Sequence, residues 1–124
     1  MPQLPWAPMP VVKVLAALAV ADIEAARAWY EQLLGRPADD VPMAEAAEWH
    51  VTETGSIQLV QSAERAGTGL VTLSVDDVDE LVADLAGRGL ELAAADTQSG
   101  MFRIASITDP EGNVITFAED LRRT

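Results

Sequence analysis

Two stretches of this chain repeat each other, and that repetition constrains its fold more than any other feature. Leu18-Ala19-Val20-Ala21-Asp22-Ile23-Glu24 matches Leu73-Ser74-Val75-Asp76-Asp77-Val78-Asp79, with Asp22 and Asp77 55 positions apart. Further on, Ile57-Gln58-Leu59 has a counterpart in Ile115-Thr116-Phe117, 58 positions away. Two matches in the same order indicate a duplicated unit of about fifty residues, too small to cover its own apolar faces, so the halves must pack together.

The halves read alike in physical terms. Residues 70–75 alternate, with Val71, Leu73 and Val75 on one face and Leu70, Thr72 and Ser74 on the other, as in a half-buried strand. Asp77 follows as a helix N-cap with Glu80 three residues on, and Val78, Leu81, Val82 and Leu85 keep helical spacing until Gly87 and Gly89. In the first half Asp22 takes the capping place, and Ile23, Ala26, Tyr30, Leu33 and Leu34 form the apolar stripe before Gly35 and Pro37. Strand-like runs follow each helix, near 48–52 and 56–61 in one half and near 90–94, 102–107 and 113–118 in the other. Asp109-Pro110-Glu111-Gly112-Asn113 reads as the turn of a hairpin. Gly67 and Gly69 flank the start of the second half and read as linker glycines.

The expected architecture is therefore α+β: two tandem βαβββ modules, about 11–62 and 68–120, with curved mixed sheets forming a ligand groove and helices on the outer faces. Residues 1–10, with four prolines, read as an irregular arm preceding a single domain over 11–124. Trp6, in that arm, would need a cover from the groove or a partner subunit.

Composition removes whole classes of chemistry. The chain of 124 residues contains no Cys and one His, His50, so thiolate chemistry and any centre built on two imidazoles of one chain are excluded. A formal charge of −12 repels phosphate backbones and anionic headgroups, so neither nucleic acid nor membrane is an expected partner. The longest apolar run, 14–21, is far shorter than the roughly twenty residues a spanning helix needs, and no basic segment precedes an apolar stretch at the start; we expect a cytoplasmic location.

Taken together, Leu18–Asp22, Ala28-Trp-Tyr-Glu-Gln-Leu-Leu-Gly35, Leu73–Asp77 and Asp109–Asn113 ahead of Ile115-Thr-Phe117 resemble the vicinal oxygen chelate superfamily of glyoxalases, bleomycin-resistance proteins and extradiol dioxygenases, over roughly residues 11–120. The resemblance implies metal-ligand positions on the first and last strands of each module. They fall on Leu15, Gln58, Leu70 and Thr116: two aliphatic side chains, a neutral amide and a hydroxyl. Such a set cannot replace the deprotonated donors a metal requires. No metal and no cofactor is expected, and no catalytic residue either, His50 being the one candidate general base.

The expected site is instead an apolar floor of Leu15 and Leu70 with polar points at Gln58, Thr72, Ser74 and Thr116, and with Trp49 and Phe102 stacking on a planar ligand. Glu45, Glu48 and Glu53 read as solvated carboxylates at its mouth, and the acidic surface favours a cationic or aromatic ligand. Similarity to bleomycin-resistance proteins implies metal-independent binding of a drug or natural product by a homodimer with shared grooves. The alternatives are a lyase, isomerase or dioxygenase of the same fold, using a rearranged metal site or a metal-free pairing of His50 with a carboxylate, or a purely partner-binding module.

Overall fold

A computed structural model describes residues 5–6 and 9–122. Most of the arm lies outside the described residues; Trp6 is 62% exposed. The elements run β1 (Val14–Val20), α1 (Ile23–Leu34), β2 (Asp40–Met43), β3 (Ala46–His50), β4 (Gly55–Gln61), β5 (Leu70–Ser74), α2 (Val78–Gly87), β6 (Ala95–Asp96), β7 (Phe102–Thr108) and β8 (Val114–Asp120). They form two four-stranded sheets, ordered β1-β4-β3-β2 and β5-β8-β7-β6, each with one parallel pair and otherwise antiparallel.

The duplication is visible in the hydrogen-bond register itself. Leu15 lies opposite Ser56 in the first sheet, and Leu70 lies opposite Val114 in the second, the partners shifted by the same 55 and 58 positions as the sequence repeats. Both helices start as expected: Asp22 Oδ1 accepts from the Ala25 N–H and Asp77 Oδ1 from the Glu80 N–H, each at 3.1 Å. Gly35, in the left-handed region at φ 79°, closes α1.

Three strand expectations are corrected. The short β2 has every residue exposed, and Pro42 inside it reads against a strand. β3 begins two residues earlier than its apolar pattern suggested, because Ala46 and Ala47 are buried. The 90–94 run is no strand: Leu90 donates its N–H to Leu85 O and packs into the core as the apolar contact that follows a helix end. Pairing begins only at Ala95.

One core spans both halves, with Tyr30, Leu33, Trp49, Ile57 and Leu59 from the first and Val78, Leu85, Ile115 and Phe117 from the second. The halves are joined through the β7–β8 turn. Asp109 Oδ1 accepts the N–H groups of Glu111, Gly112 and Asn113, while Oδ2 accepts from Tyr30 OH at 2.7 Å and from Asn113 Nδ2 at 2.9 Å. Asn113 Nδ2 also donates to Ala19 O in β1, and Glu111 caps the N–H groups of Ala21 and Asp22. Gly67, at φ +78°, lies so near this turn that a Cβ would sit 2.0 Å from Glu111 O.

Burial, followed by the hydrogen bond to Asp109, pushes the Tyr30 phenol far above its ordinary value. A phenol raised on folding contributes stability that is present below its unfolded value, near 10, and lost as the pH climbs beyond it. Because Tyr30 is the only tyrosine, phenolate absorbance reports one group. Alkaline titration should show that absorbance emerging with unfolding, not before it, and Tyr30→Phe should cost about 1–3 kcal/mol in denaturant melts. Ionisation of a still-folded chain would contradict this account.

Candidate functional site

Each sheet has one face under its helix and one face left open. In the first, the register places Leu18, Ala47, Trp49, Ile57 and Leu59 toward α1, and Leu15, Ala17, Glu48, His50, Ser56 and Gln58 on the opposite side. In the second, Val71, Leu73, Ala105, Ile115 and Phe117 face α2, and Leu70, Thr72, Ser74, Phe102, Ser106 and Thr116 face away.

The expected ligand contacts Leu15, Gln58, Leu70, Thr72, Ser74, Phe102 and Thr116 therefore all occupy open faces. Leu15 and Leu70 are 37% and 71% exposed. Thr116 shares a 2.8 Å hydrogen bond with Ser106, and Phe102 carries the Arg122 guanidinium 4.9 Å above its ring. Thr72 and Ser74, with Val51 and Thr52 of the β3–β4 turn, line a pocket of about 320 Å³ along β5.

Trp49 is the exception. Its side chain is wholly buried, 6.2 Å from the Tyr30 ring, and its Nε1 donates to Arg36 O at 2.9 Å. Adjacent strand residues point to opposite faces, so Trp49 and His50 cannot both line one groove; His50 has the open face and Trp49 the core.

Glu48 is also not where the charge pattern placed it. Glu45 and Glu53 are exposed, but Glu48 is only 4% exposed, on the open face, with its Oε2 held by Lys13 Nζ and lying 3.2 Å from His50 Nε2. The Lys13 ammonium, helped by the Ser56 hydroxyl and by His50, holds this carboxyl below its ordinary value against the opposing pull of burial. The backbone of His50 is fixed in turn: its N–H donates to Asp39 Oδ2 at 2.7 Å, and its carbonyl accepts from Arg36, which pairs with Asp39 at 2.9 Å. The His50 N–H, ahead of Arg36, holds the Asp39 carboxyl low. Sequence reasoning had no signal for this group, because Lys13, Glu48 and His50 meet only through the β1–β4–β3 register.

Among the described residues no three His, Asp or Glu side chains converge as a metal-binding group. Leu15, Gln58, Leu70 and Thr116, the positions that the resemblance implies for metal ligands, offer an amide and a hydroxyl at most. These residues do not fit a divalent cation.

The family model described as Glyoxalase/Bleomycin resistance protein/Dioxygenase superfamily matches residues 13–117. Among solved structures, a glyoxalase/bleomycin resistance protein from Catenulispora acidiphila DSM 44928 is 34% identical, with 87% of this chain and 97% of that chain covered and a TM-score of 0.80. TnmS3, an antibiotic binding protein from Streptomyces sp. CB03234, is 27% identical over 91% of this chain and 99% of its own, with a TM-score of 0.70. An integron cassette protein from the mobile metagenome of V. cholerae shares the fold at 20% identity and a TM-score of 0.67, covering 92% of this chain and 98% of that one. No curated protein matches the chain.

A carboxyl lowered on folding contributes stability that is present above its unfolded value, near 4.5 for Glu48, and lost as pH falls through its folded value. Glu48→Gln should be less stable than the parent at about pH 6, and its stability should decline less steeply toward about pH 2. Circular-dichroism melts across that range check both; parallel curves would remove Glu48 from the acid response.

Proposed function

The chain belongs to the Glyoxalase/Bleomycin resistance protein/Dioxygenase superfamily, and from that premise we propose that it is a metal-independent binding protein that sequesters a drug or natural product. The observation that carries this reading is the donor set: Leu15, Gln58, Leu70 and Thr116 occupy the metal positions with side chains that enclose a ligand instead of polarising one. The likeness to an antibiotic binding protein supports it. The ligand rests on Leu15 and Leu70, is oriented by Gln58, Thr72, Ser74 and Thr116, and stacks on Phe102.

No helix among the described residues is long and apolar enough to cross a membrane, and we place the protein's work in the cytoplasm. Two chains pair so that the open faces, with Leu15 and Leu70 exposed in one chain, cover each other and share the ligand. A charge of −12 favours cationic and neutral aromatic compounds over carboxylates, within a screening length of about 8 Å at physiological salt.

Isothermal titration calorimetry with aromatic natural products of both charges, before and after chelator treatment, tests the reading. We expect saturable binding, unchanged by chelator, stronger for cations than for carboxylates, and a dimer by sedimentation. Affinity that depends on added Zn, Ni, Fe or Mn would overturn metal independence, and binding of carboxylates alone would overturn the charge argument.

A further inference from the structure

The Lys13–Glu48–His50 group is not demanded by the fold. The second module has the same strands in the same register, and there the equivalent places hold Thr68, Ser106 and Thr108. Small hydroxyls satisfy the sheet at these positions. The first module instead buries a carboxylate, which costs several kcal/mol unless paired. It then leaves both partners accessible, with side chains 39% exposed for Lys13 and 51% for His50.

The arrangement is also held in place. The strand end carrying His50 is fixed from both sides by Asp39 and Arg36, and Arg36 is tied in turn to the buried Trp49 indole. Glu48 and Lys13 are the charged groups facing the imidazole; Asp39 and Arg36 engage its backbone, and Ser56 lies across from it in the register. With Nε2 3.2 Å from a carboxylate, a neutral imidazole here places its proton on Nε2 and its lone pair on Nδ1. Nδ1 has no hydrogen-bond partner among the described residues. An ammonium has three donors, of which Glu48 takes one.

The geometry points to a hydroxyl-recognition site on the open face of the first module, where an aromatic or enolic hydroxyl donates to His50 Nδ1 and accepts from Lys13 Nζ. A carboxylate brings no proton for Nδ1, and an ammonium brings no lone pair for Lys13. A phenol or enol is preferred over an aliphatic alcohol because charge-assisted bonding to Lys13 strengthens as the oxygen becomes more negative. Leu15, opposite Ser56, also gives a ring an apolar surface beside the group. This rests on the small-molecule reading above and narrows it to one class of ligand group.

The test uses the full chain with 4-nitrophenol and its methyl ether, 4-nitroanisole, which is similar in shape but has no proton to donate. NMR shift titration should give 4-nitrophenol at least a tenfold lower Kd, about 1.4 kcal/mol, with the perturbations centred on residues 13, 48 and 50. Visible absorbance should show the bound phenol ionising at lower pH than the free one, because its proton passes along the hydrogen bond to His50 Nδ1 while Lys13 Nζ holds the phenolate oxygen. His50→Thr, and Lys13→Thr combined with Glu48→Ser so that no buried carboxylate loses its partner, install the residue types that the second module already carries, and each should abolish the preference; Lys13→Arg should retain the ionisation shift. Equal affinity for the two probes, a preference that survives both threonine variants, or no saturable binding of 4-nitrophenol would each overturn the site. Equal affinity would leave the broader binding reading standing, whereas that reading fails only if the calorimetric panel finds no ligand.

Discussion

The Asp109 carboxylate is the group on which the relation of the two modules depends. Its two oxygens gather three backbone N–H groups of its own turn, the Asn113 amide and the hydroxyl of Tyr30 from the other module's helix. A carboxylate that is 3% exposed is tolerable only with that density of donors. Asn113 extends the same network to β1 through Ala19 O and to the start of β5 through the Gly69 N–H. One turn thus fixes α1, β1 and β5 together. Gly67 completes the junction, since its left-handed conformation and contact with Glu111 O leave no room for a side chain.

On this shared frame the modules have diverged only where the frame permits. The faces beneath the helices keep matching apolar residues, Leu18 with Leu73, Ile57 with Ile115 and Leu59 with Phe117, because each fills a common core. The open faces carry no such obligation. There Lys13, Glu48 and His50 stand against Thr68, Ser106 and Thr108, a difference in charge and hydrogen-bonding capacity within an unchanged register. Packing explains the match between the halves; it does not explain a buried carboxylate with an accessible ammonium and an accessible imidazole beside it on one of them.

What could be read from the residues alone was whatever is local or periodic. Asp22 and Asp77 announce their helices because a cap needs only an oxygen and the next turn of backbone, and the stripes from Ile23 to Leu33 and from Val78 to Leu85 follow from helical spacing. Leu15, Gln58, Leu70 and Thr116 were singled out by the family resemblance, and the register places them on the open faces. Trp49 was misplaced because a large aromatic near a polar strand end suits a pocket as well as a core, and only strand parity decides between them. β2 and β6 are exposed edge pieces of four and two residues, too short for a period to stand out, and β2 contains Pro42. The burial of Glu48 was out of reach for a different reason: it depends on three strands meeting in one register, and nothing in the local sequence around it differs from a solvated carboxylate.

The two halves of the proposed site therefore rest on different physics. The second module's open face is uncharged in its centre, with Leu70 amid Thr72, Ser74, Ser106 and Thr116, so it acts through area removed from water, roughly 25 cal/mol per Å² of apolar contact, and through hydroxyls that reorient at little cost. The first module's face has a fixed polarity, because Glu48 orders Lys13 and His50 before any ligand arrives. Preordering matters most for groups that would otherwise lose rotamer freedom on binding, and a lysine loses about 1.5–2 kcal/mol of it. Apolar contact without direction would admit many compounds, and directed polarity without area would hold none for long. A face whose apolar floor is leucine recovers orientation only from fixed polar side chains such as these, and the first module carries them where the second does not.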